Sequence, residues 1–499
     1  MGDAHILYAV LRPTGRGLKQ RTVRGIGWLT VSTATRIALT LVSMPVLARL
    51  LTPGDYGIVA LSTLVIEVVA LFGEFGLHSA LIQRKRISRL DLETAFWTNV
   101  AIGIGLAIVV TALAPLAVRF FDTPALALVI YVSAIGLVLT SFASVHHTVL
   151  MRAMRFREVA IIEIASVMVR VASAIGLALH GAGYWALVGA GLCGLLTAAV
   201  LRLLIVRWLP RMTYRGARLR SMLSFGKNVF ADQLLSYLGS NVDYVIVGKR
   251  LGPEPLGAYQ MAFSLPEMVR NSLSQVVSRV MFPAYSRAQD DNPRIAAAFL
   301  QVVRAASLVS FPTLAGLLFV APLFVPLYFG AQWNHIIVPL QFLCISGGLR
   351  AVAATTGSVY HAKGRPDLTF KINLVRVPVL ALAIWIGSRW GINGVAFAFM
   401  AVALTWTFVS ATWTARLLRM RRRDIYFAMA PAVTASAGMI AGLWGLRMTI
   451  FSDFSDLRML SALVVSGALL YFGLLSAFWR STLIDMAGLM RHLRQQPVR

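Results

Sequence analysis

Fourteen runs of about 20 mostly apolar residues, separated by short polar gaps, take up most of this 499-residue chain. A helix of that length crosses a bilayer core about 30 Å thick. The runs lie near 25–50, 56–82, 94–118, 125–148, 158–180, 183–206 and 225–248, then near 257–285, 296–320, 333–360, 369–388, 392–415, 426–447 and 459–479. The stretch 311–342 has the least obvious division. Apolar and aromatic residues make up 58% of the chain and charged residues 13%, a ratio no soluble protein needs, because a water-facing surface must be covered by polar groups. The pattern predicts an all-α polytopic membrane protein.

Charge gives the runs an orientation. The net charge of +27 suits a nucleic-acid binder only when the cations cluster on a soluble face. Here they fill the gaps between apolar runs, so nucleic acid is excluded as a partner. One set of gaps holds the N-terminal tail, QRKRISR (83–89), MRAMRFR (151–157), RMTYRGARLR (211–220), KGRPDLTFK (363–371), RLLRMRRR (416–423) and RHLRQQPVR (491–499). The alternate set holds LTPGDYG (51–57), RFFDTP (119–124), HGAG (180–183), GPEP (252–255), FGAQWNH (329–335), SRWG (388–391) and FSDFSD (451–456). About thirty Lys and Arg fall in the first set and about six in the second, which places both termini in the cytoplasm. The far-side loops, roughly a dozen residues or fewer, are too short for a folded domain. That argues against an enzyme with a catalytic domain outside.

Several other chemistries find no motif. The two cysteines, Cys193 and Cys344, lie inside apolar runs, with no C-x-x-C or Cys/His cluster, so neither a disulfide nor a metal site is expected. No G-x-x-x-x-G-K-[ST] and no H-E-x-x-H occurs, and no cofactor is expected. GIG (103–105) and GLCG (191–194) sit within apolar helices as packing glycines, and His146–His147 reads as a structural pair. The basic N-terminus precedes an apolar run too long for a cleaved signal peptide, so that run is the first spanning helix.

Two copies of L-x-P-x-x-x-G lie two hundred residues apart, LTPGDYG at 51–57 and LGPEPLG at 251–257. Pro starts a helix and Gly permits a turn, and each copy joins the first two segments of a six-segment half. The repeat predicts two pseudo-symmetric six-helix lobes plus two C-terminal helices. The boundaries are a basic tail (1–24), an N-lobe (25–207), a linker (208–224), a C-lobe (225–415), a basic loop (416–425), two helices (426–480) and a tail (481–499). Two halves of like topology are a transporter pattern, with the site expected at their interface.

Ionisable groups within the runs mark that site, since each costs at least about 2.5–3.5 kcal/mol at the bilayer centre unless it faces protein or water. The first segment carries Arg36 among Ser32, Thr33, Thr40 and Ser43; the second carries Glu67 and Glu74. The seventh reads Asn228, Asp232, Ser236, Gly239, Asp243, and the eighth Glu267, Arg270, Asn271, Ser274, Ser278. Arg170, Arg304, Arg350 and Arg376 follow, with Asn373 near the last. Structural readings compete. Lys227, Arg279 and Arg376 can snorkel from helix ends, Glu67 and Glu74 can pair with Arg36, and Arg170 can pair with Glu163. The stripes on the two equivalent hairpins favour a solvated, net-cationic cavity. Arg36, Arg270 and Arg350 are the candidates for binding an anionic substrate, because guanidinium matches phosphate geometry. Asp232 and Asp243, with Asn373, are candidates for a coupling Na+ or H+. Glu67, Glu74 and Glu267 are candidates for structural or gating ion pairs. No catalytic residue and no metal ligand is assigned.

Several stretches then resemble a known family. FGLHSALIQRKRISRLDLETAFWTNV (75–100), RVMFPAYSRAQDD (279–291), FGAQWNHIIVPLQFLC (329–344), LKQRTVRGIGW (18–28) and LARLLTPGDYGIVAL (47–61) are similar to the bacterial polysaccharide exporter family, in particular its colanic-acid-exporter branch. The resemblance implies the MOP flippase superfamily, with twelve to fourteen helices in a V-shaped pair of lobes. It implies a Wzx-type flippase of the bacterial inner membrane, turning undecaprenyl-diphosphate-linked oligosaccharide to the periplasm for exopolysaccharide, capsule or O-antigen synthesis. Partners implied are the lipid bilayer and, downstream, polysaccharide polymerase and chain-length proteins. Two alternatives share the superfamily, a flippase for the lipid II-type peptidoglycan precursor and a MATE-like drug or cation antiporter. The antiporter would want an acidic cavity, against the arginines.

Overall fold

The computed structural model describes residues 18–73, 81, 87–213, 227–287, 290–450 and 455–480. Among these, fourteen α-helices have 19 residues or more. They are α1 (Leu18–Leu50), α2 (Pro53–Leu71), α3 (Arg89–Phe121), α4 (Leu126–Arg152), α5 (Phe156–Leu179), α6 (Tyr184–Val206) and α7 (Lys227–Arg250), followed by α8 (Pro253–Arg287), α9 (Asn292–Tyr328), α10 (Ile337–Ala362), α11 (Pro366–Gly387), α12 (Gly391–Leu418), α13 (Arg422–Thr449) and α14 (Asp456–Phe478). Each overlaps one apolar run, but α2 ends at Leu71, well short of the end of the run 56–82, and α9 outlasts the run 296–320, ending at Tyr328. The stretch 311–342 divides at a 3-10 turn, Ala331–Ile336, after Tyr328. By length and hydropathy alone, eleven segments of the described chain qualify as membrane spans, with α11 and α12 merged into one and α7 and α8 outside the set. α7 and α8 carry the polar stripes. The chain is a multi-pass membrane protein.

Contacts divide the chain into two units, Met1–Gly257 and Ala258–Arg499. Helix α7 therefore belongs with the first unit, where it packs on α2. In that unit α3 packs on α4, α4 on α6, α5 on α6, and α1 on α5. At the end bearing the basic loops, a buried cluster joins Leu92, Phe96, Val149, Ile162 and Trp208. There His146 is fully buried and its Nε2 meets the Trp208 carbonyl at 3.0 Å. In the second unit the neighbours recur six helices on, α9 with α10, α10 with α12, and α11 with α12. The extra pair α13–α14 closes against α9, where the Tyr471 hydroxyl donates to the Leu308 carbonyl at 3.0 Å.

The repeat is written into the turns as well. After α4, Met154 takes a left-handed conformation (φ 54°) and the Arg155 amide donates to Leu150 O at 3.0 Å. After α10, Gly364 (φ 66°) and the Arg365 amide, bonded to Tyr360 O at 2.9 Å, repeat that closure. Both are helix ends in which a left-handed residue turns the chain so that spare carbonyls are satisfied. Helices α6 and α12 likewise end on left-handed arginines, Arg207 (φ 49°) and Arg419 (φ 54°).

The two heptads meet. A Cβ built on Gly57 would lie 1.7 Å from the Pro253 carbonyl oxygen, and one built on Gly257 would lie 1.8 Å from the Pro53 carbonyl oxygen. Each glycine thus abuts the other copy's proline backbone, a reciprocal crossing of the first turns of α2 and α8. Proline suits the start of a helix because its missing N–H needs no partner there. In the first copy, Thr52 and Asp55 add a capping box, Thr52 N to Asp55 Oδ2 at 2.9 Å and Asp55 N to Thr52 Oγ1 at 3.3 Å. Thr52→Ala is expected to lower stability by about 1 kcal/mol, readable as a reduced unfolding temperature of the detergent-purified protein.

Candidate functional site

The second unit holds the denser group of charges. Glu267 and Arg270 sit one turn apart on α8, and Arg270 Nε donates to Glu267 Oε2 at 2.9 Å, with a second bond from Nη2 to Oε1. Arg270 also donates to Asn271 Oδ1 at 2.6 Å. From α10, Arg350 Nη1 reaches Glu267 Oε2 at 3.1 Å. Arg350 lies between two rings, its guanidinium carbon 5.4 Å from the Phe263 centroid on α8 and 5.0 Å from the Phe399 centroid on α12. These rings hold the guanidinium plane without consuming its donors. From α11, Arg376 is close enough to interact with the charges of both Arg350 and Arg270. Its Nε is buried and finds no acceptor among the described residues.

The electrostatic consequence is direct. Two guanidiniums bind one carboxylate and a third lies close to both of them, a formal surplus of two positive charges. The side chains of Glu267, Arg270 and Arg350 are each between 21% and 23% exposed. A surplus of like charge withdrawn from water is unfavourable unless an anion offsets it. Glu267 orders Arg270 and Arg350 but cannot neutralise the group. A ligand carrying two negative charges would.

The first unit holds a second, looser group. Arg36, midway along α1, is exposed, and Arg170 of α5 is exposed and close enough for the two charges to repel. An exposed guanidinium at that depth demands water or an anion rather than acyl chains. The α1 hydroxyls are largely spent on their own helix, Thr40 Oγ1 on Arg36 O at 2.8 Å and Ser43 Oγ on Thr40 O at 3.1 Å. Buried Ser32 instead crosses to α5, donating to Glu163 Oε2 at 2.5 Å. Glu163 acts electrostatically on Arg202 of α6, whose Nε is buried without an acceptor among the described residues. Arg170 therefore faces Arg36, and Glu163 is engaged elsewhere.

The remaining candidates fall as follows. Glu67 meets Tyr237 of α7 rather than Arg36, while the Tyr237 hydroxyl also reaches Leu64 O at 3.2 Å. Asp243 is buried on α7, and Asn373 lies three residues before Arg376 on α11. Glu74 and the side chain of Asp232 lie outside the described residues. Sequence reasoning passed over Arg376 and Arg170 as site residues. Arg376 is the eleventh of 22 residues in α11, too deep to snorkel, and that central position was the signal.

Two solved structures that share this architecture are a lipid flippase and a multidrug transporter. The lipid II flippase MurJ in its inward closed conformation aligns with a TM-score of 0.69 at 14% identity, over 92% of this chain and 100% of that one. An inward-facing multidrug resistance MATE family transporter of the MOP superfamily aligns at 0.60 and 16% identity, over 79% and 98%. At such identities the likeness is one of fold. Sequence relatives are closer. The lipopolysaccharide biosynthesis protein WzxC of Escherichia coli (strain K12) is 31% identical over 400 residues, 79% of this chain and 80% of that protein. The teichuronic acid biosynthesis protein TuaB of Bacillus subtilis (strain 168) is 27% identical over 467 residues, 92% and 96%. The family model described as polysaccharide biosynthesis protein matches residues 46–338, more than half of the chain, and the chain belongs to that family.

Proposed function

We propose that this protein is a flippase for lipid-linked oligosaccharides. It turns undecaprenyl-diphosphate-linked repeat units from the cytoplasmic to the outer leaflet of the bacterial inner membrane by alternating access. Family membership supports polysaccharide synthesis as the setting. The observation that carries the substrate class is the surplus of two positive charges around Glu267, which suits a diphosphate. Arg270, Arg350 and Arg376 hold the head group in the second unit, and Arg36 with Arg170 offers a second anionic station in the first. No bond in the sugar is broken, so the protein is a carrier and not an enzyme. The Lys and Arg bias of alternate loops supports cytoplasmic termini. Coupling to Na+ or H+ through Asp232, Asp243 or Asn373 completes the cycle, and polymerase and chain-length proteins act on the released units.

The test is a deletion in the native host. Loss of the protein is expected to stop surface polymer and to leave diphosphate-linked repeat units in the membrane, inaccessible to an impermeant sugar oxidant. Cell lysis with accumulated peptidoglycan precursor would assign the lipid II-type substrate instead. Hypersensitivity to cationic dyes without polymer loss would assign an antiporter.

A further inference from the structure

The α12–α13 turn carries five arginines in eight residues, Arg416, Arg419, Arg421, Arg422 and Arg423, and all five are exposed. Across residues 391–449 the one carboxylate is Asp424, and it is engaged by the chain itself: its Oδ2 accepts the Arg421 amide at 3.2 Å at the start of α13. Another basic turn of the same unit behaves differently. After α10, Arg365 Nε pairs with Asp367 Oδ1 at 2.9 Å, and Lys371 Nζ lies 3.6 Å from Asp367 Oδ2. Its counterpart in the first unit, after α4, pairs Arg155 with Glu158. Those basic turns carry their own counter-charge beside the cations, whereas the α12–α13 turn spends its single carboxylate on a backbone amide.

The turn is also braced by its own backbone hydrogen bonds and placed at an apolar boundary. Left-handed Arg419 closes α12, with the Met420 amide on Ala415 O at 3.0 Å and the Asp424 amide on Arg421 O at 3.0 Å. Leu418 and Ile425 anchor its two sides in the core cluster that includes Phe299, Val359 and Ala415. One turn into each helix, Trp413 and Phe427 point outward, Phe427 being 70% exposed. Exposed aromatics beside a rank of cations mark the depth where head groups meet acyl chains. Arg416 bridges the two zones, its guanidinium carbon 5.9 Å from the Trp413 ring centroid.

We propose that the α12–α13 turn is a docking platform for the phosphate head groups of anionic phospholipids in the leaflet that it faces. A fixed array of guanidiniums binds phosphate bidentately, and five outward cations call for several phosphates at once. A bilayer surface supplies them, and the gain grows with each cation close to it. The platform fixes the junction between the second six-helix half and the α13–α14 pair against the membrane.

The test uses the full-length protein in detergent, with phosphatidylglycerol and phosphatidylcholine as probes and native mass spectrometry to count the lipid retained. The wild type is expected to retain phosphatidylglycerol in preference, and rising salt is expected to erase that preference. The R421Q/R422Q/R423Q variant is expected to lose at least about tenfold of it, R416Q/R419Q is expected to lose part, and R365Q in the paired turn none. A wild type that holds both lipids equally, or a preference untouched by salt, overturns the proposal without any variant. An undiminished preference in R421Q/R422Q/R423Q, or an equal loss in R365Q, overturns it as well and leaves the platform to an acidic protein partner.

Discussion

Arg350→Ala is expected to reduce polymer export by about tenfold to a hundredfold while the protein still inserts and purifies. A charge-assisted hydrogen bond is worth about 1.5–3 kcal/mol, and each 1.4 kcal/mol is a factor of ten. Arg350 does two things that its neighbours do not combine. It shares Glu267 with Arg270 across two helices, and it is held in plane by Phe263 and Phe399. Its loss leaves Glu267 on Arg270 alone and halves the surplus charge that draws the diphosphate. Arg350→Lys restores the charge without the fork or the stacking, so it is expected to recover part of export. Surface polymer per cell, normalised to protein in the membrane, is the measurement. Normal export from both Arg350→Ala and Arg270→Ala would remove the diphosphate clamp from the mechanism.

The helices were legible because membrane helices announce themselves by length and apolarity, and the 3-10 turn after Tyr328 explains why the ninth and tenth ran together. Side-chain partners were less legible. Arg170 and Glu163 are seven residues apart on α5, and spacing on one helix suggested a pair. Ser32, arriving from α1, took the carboxylate instead. A residue on another helix competes on equal terms with one two turns away, and the sequence does not record which helices are neighbours. The same limit hid the placement of α7. The repeated heptad set it at the start of a second lobe, and in the structure it packs on α2. Arg376 was within reach, because its central position in α11 follows from the run boundaries alone.

Gly57→Ala and Gly257→Ala are each expected to lower stability by up to about 3 kcal/mol, the cost of forcing atoms into a filled site. The site is unusually unforgiving, because the atom met by the new methyl is a backbone carbonyl rather than the far end of a flexible side chain. Pro53 and Pro253 fix the chain from which those carbonyls project, so relief requires the first turns of α2 and α8 to separate. The two substitutions press on the same crossing from opposite sides. The double variant is therefore expected to cost less than the two single losses combined, since one separation relieves both clashes. Gly105→Ala on α3 is the control. Nothing lies within 4 Å of its would-be Cβ, and alanine is the better helix former by about 1 kcal/mol, so no loss is expected there. Unfolding temperatures of the wild type and these four variants, each purified, decide the matter. If Gly57→Ala and Gly257→Ala unfold with Gly105→Ala, the two heptads do not touch, and the spacing of Pro and Gly in L-x-P-x-x-x-G reflects only two similar turns. If the losses appear and fail to add, the motif recurs because each copy is the surface on which the other closes.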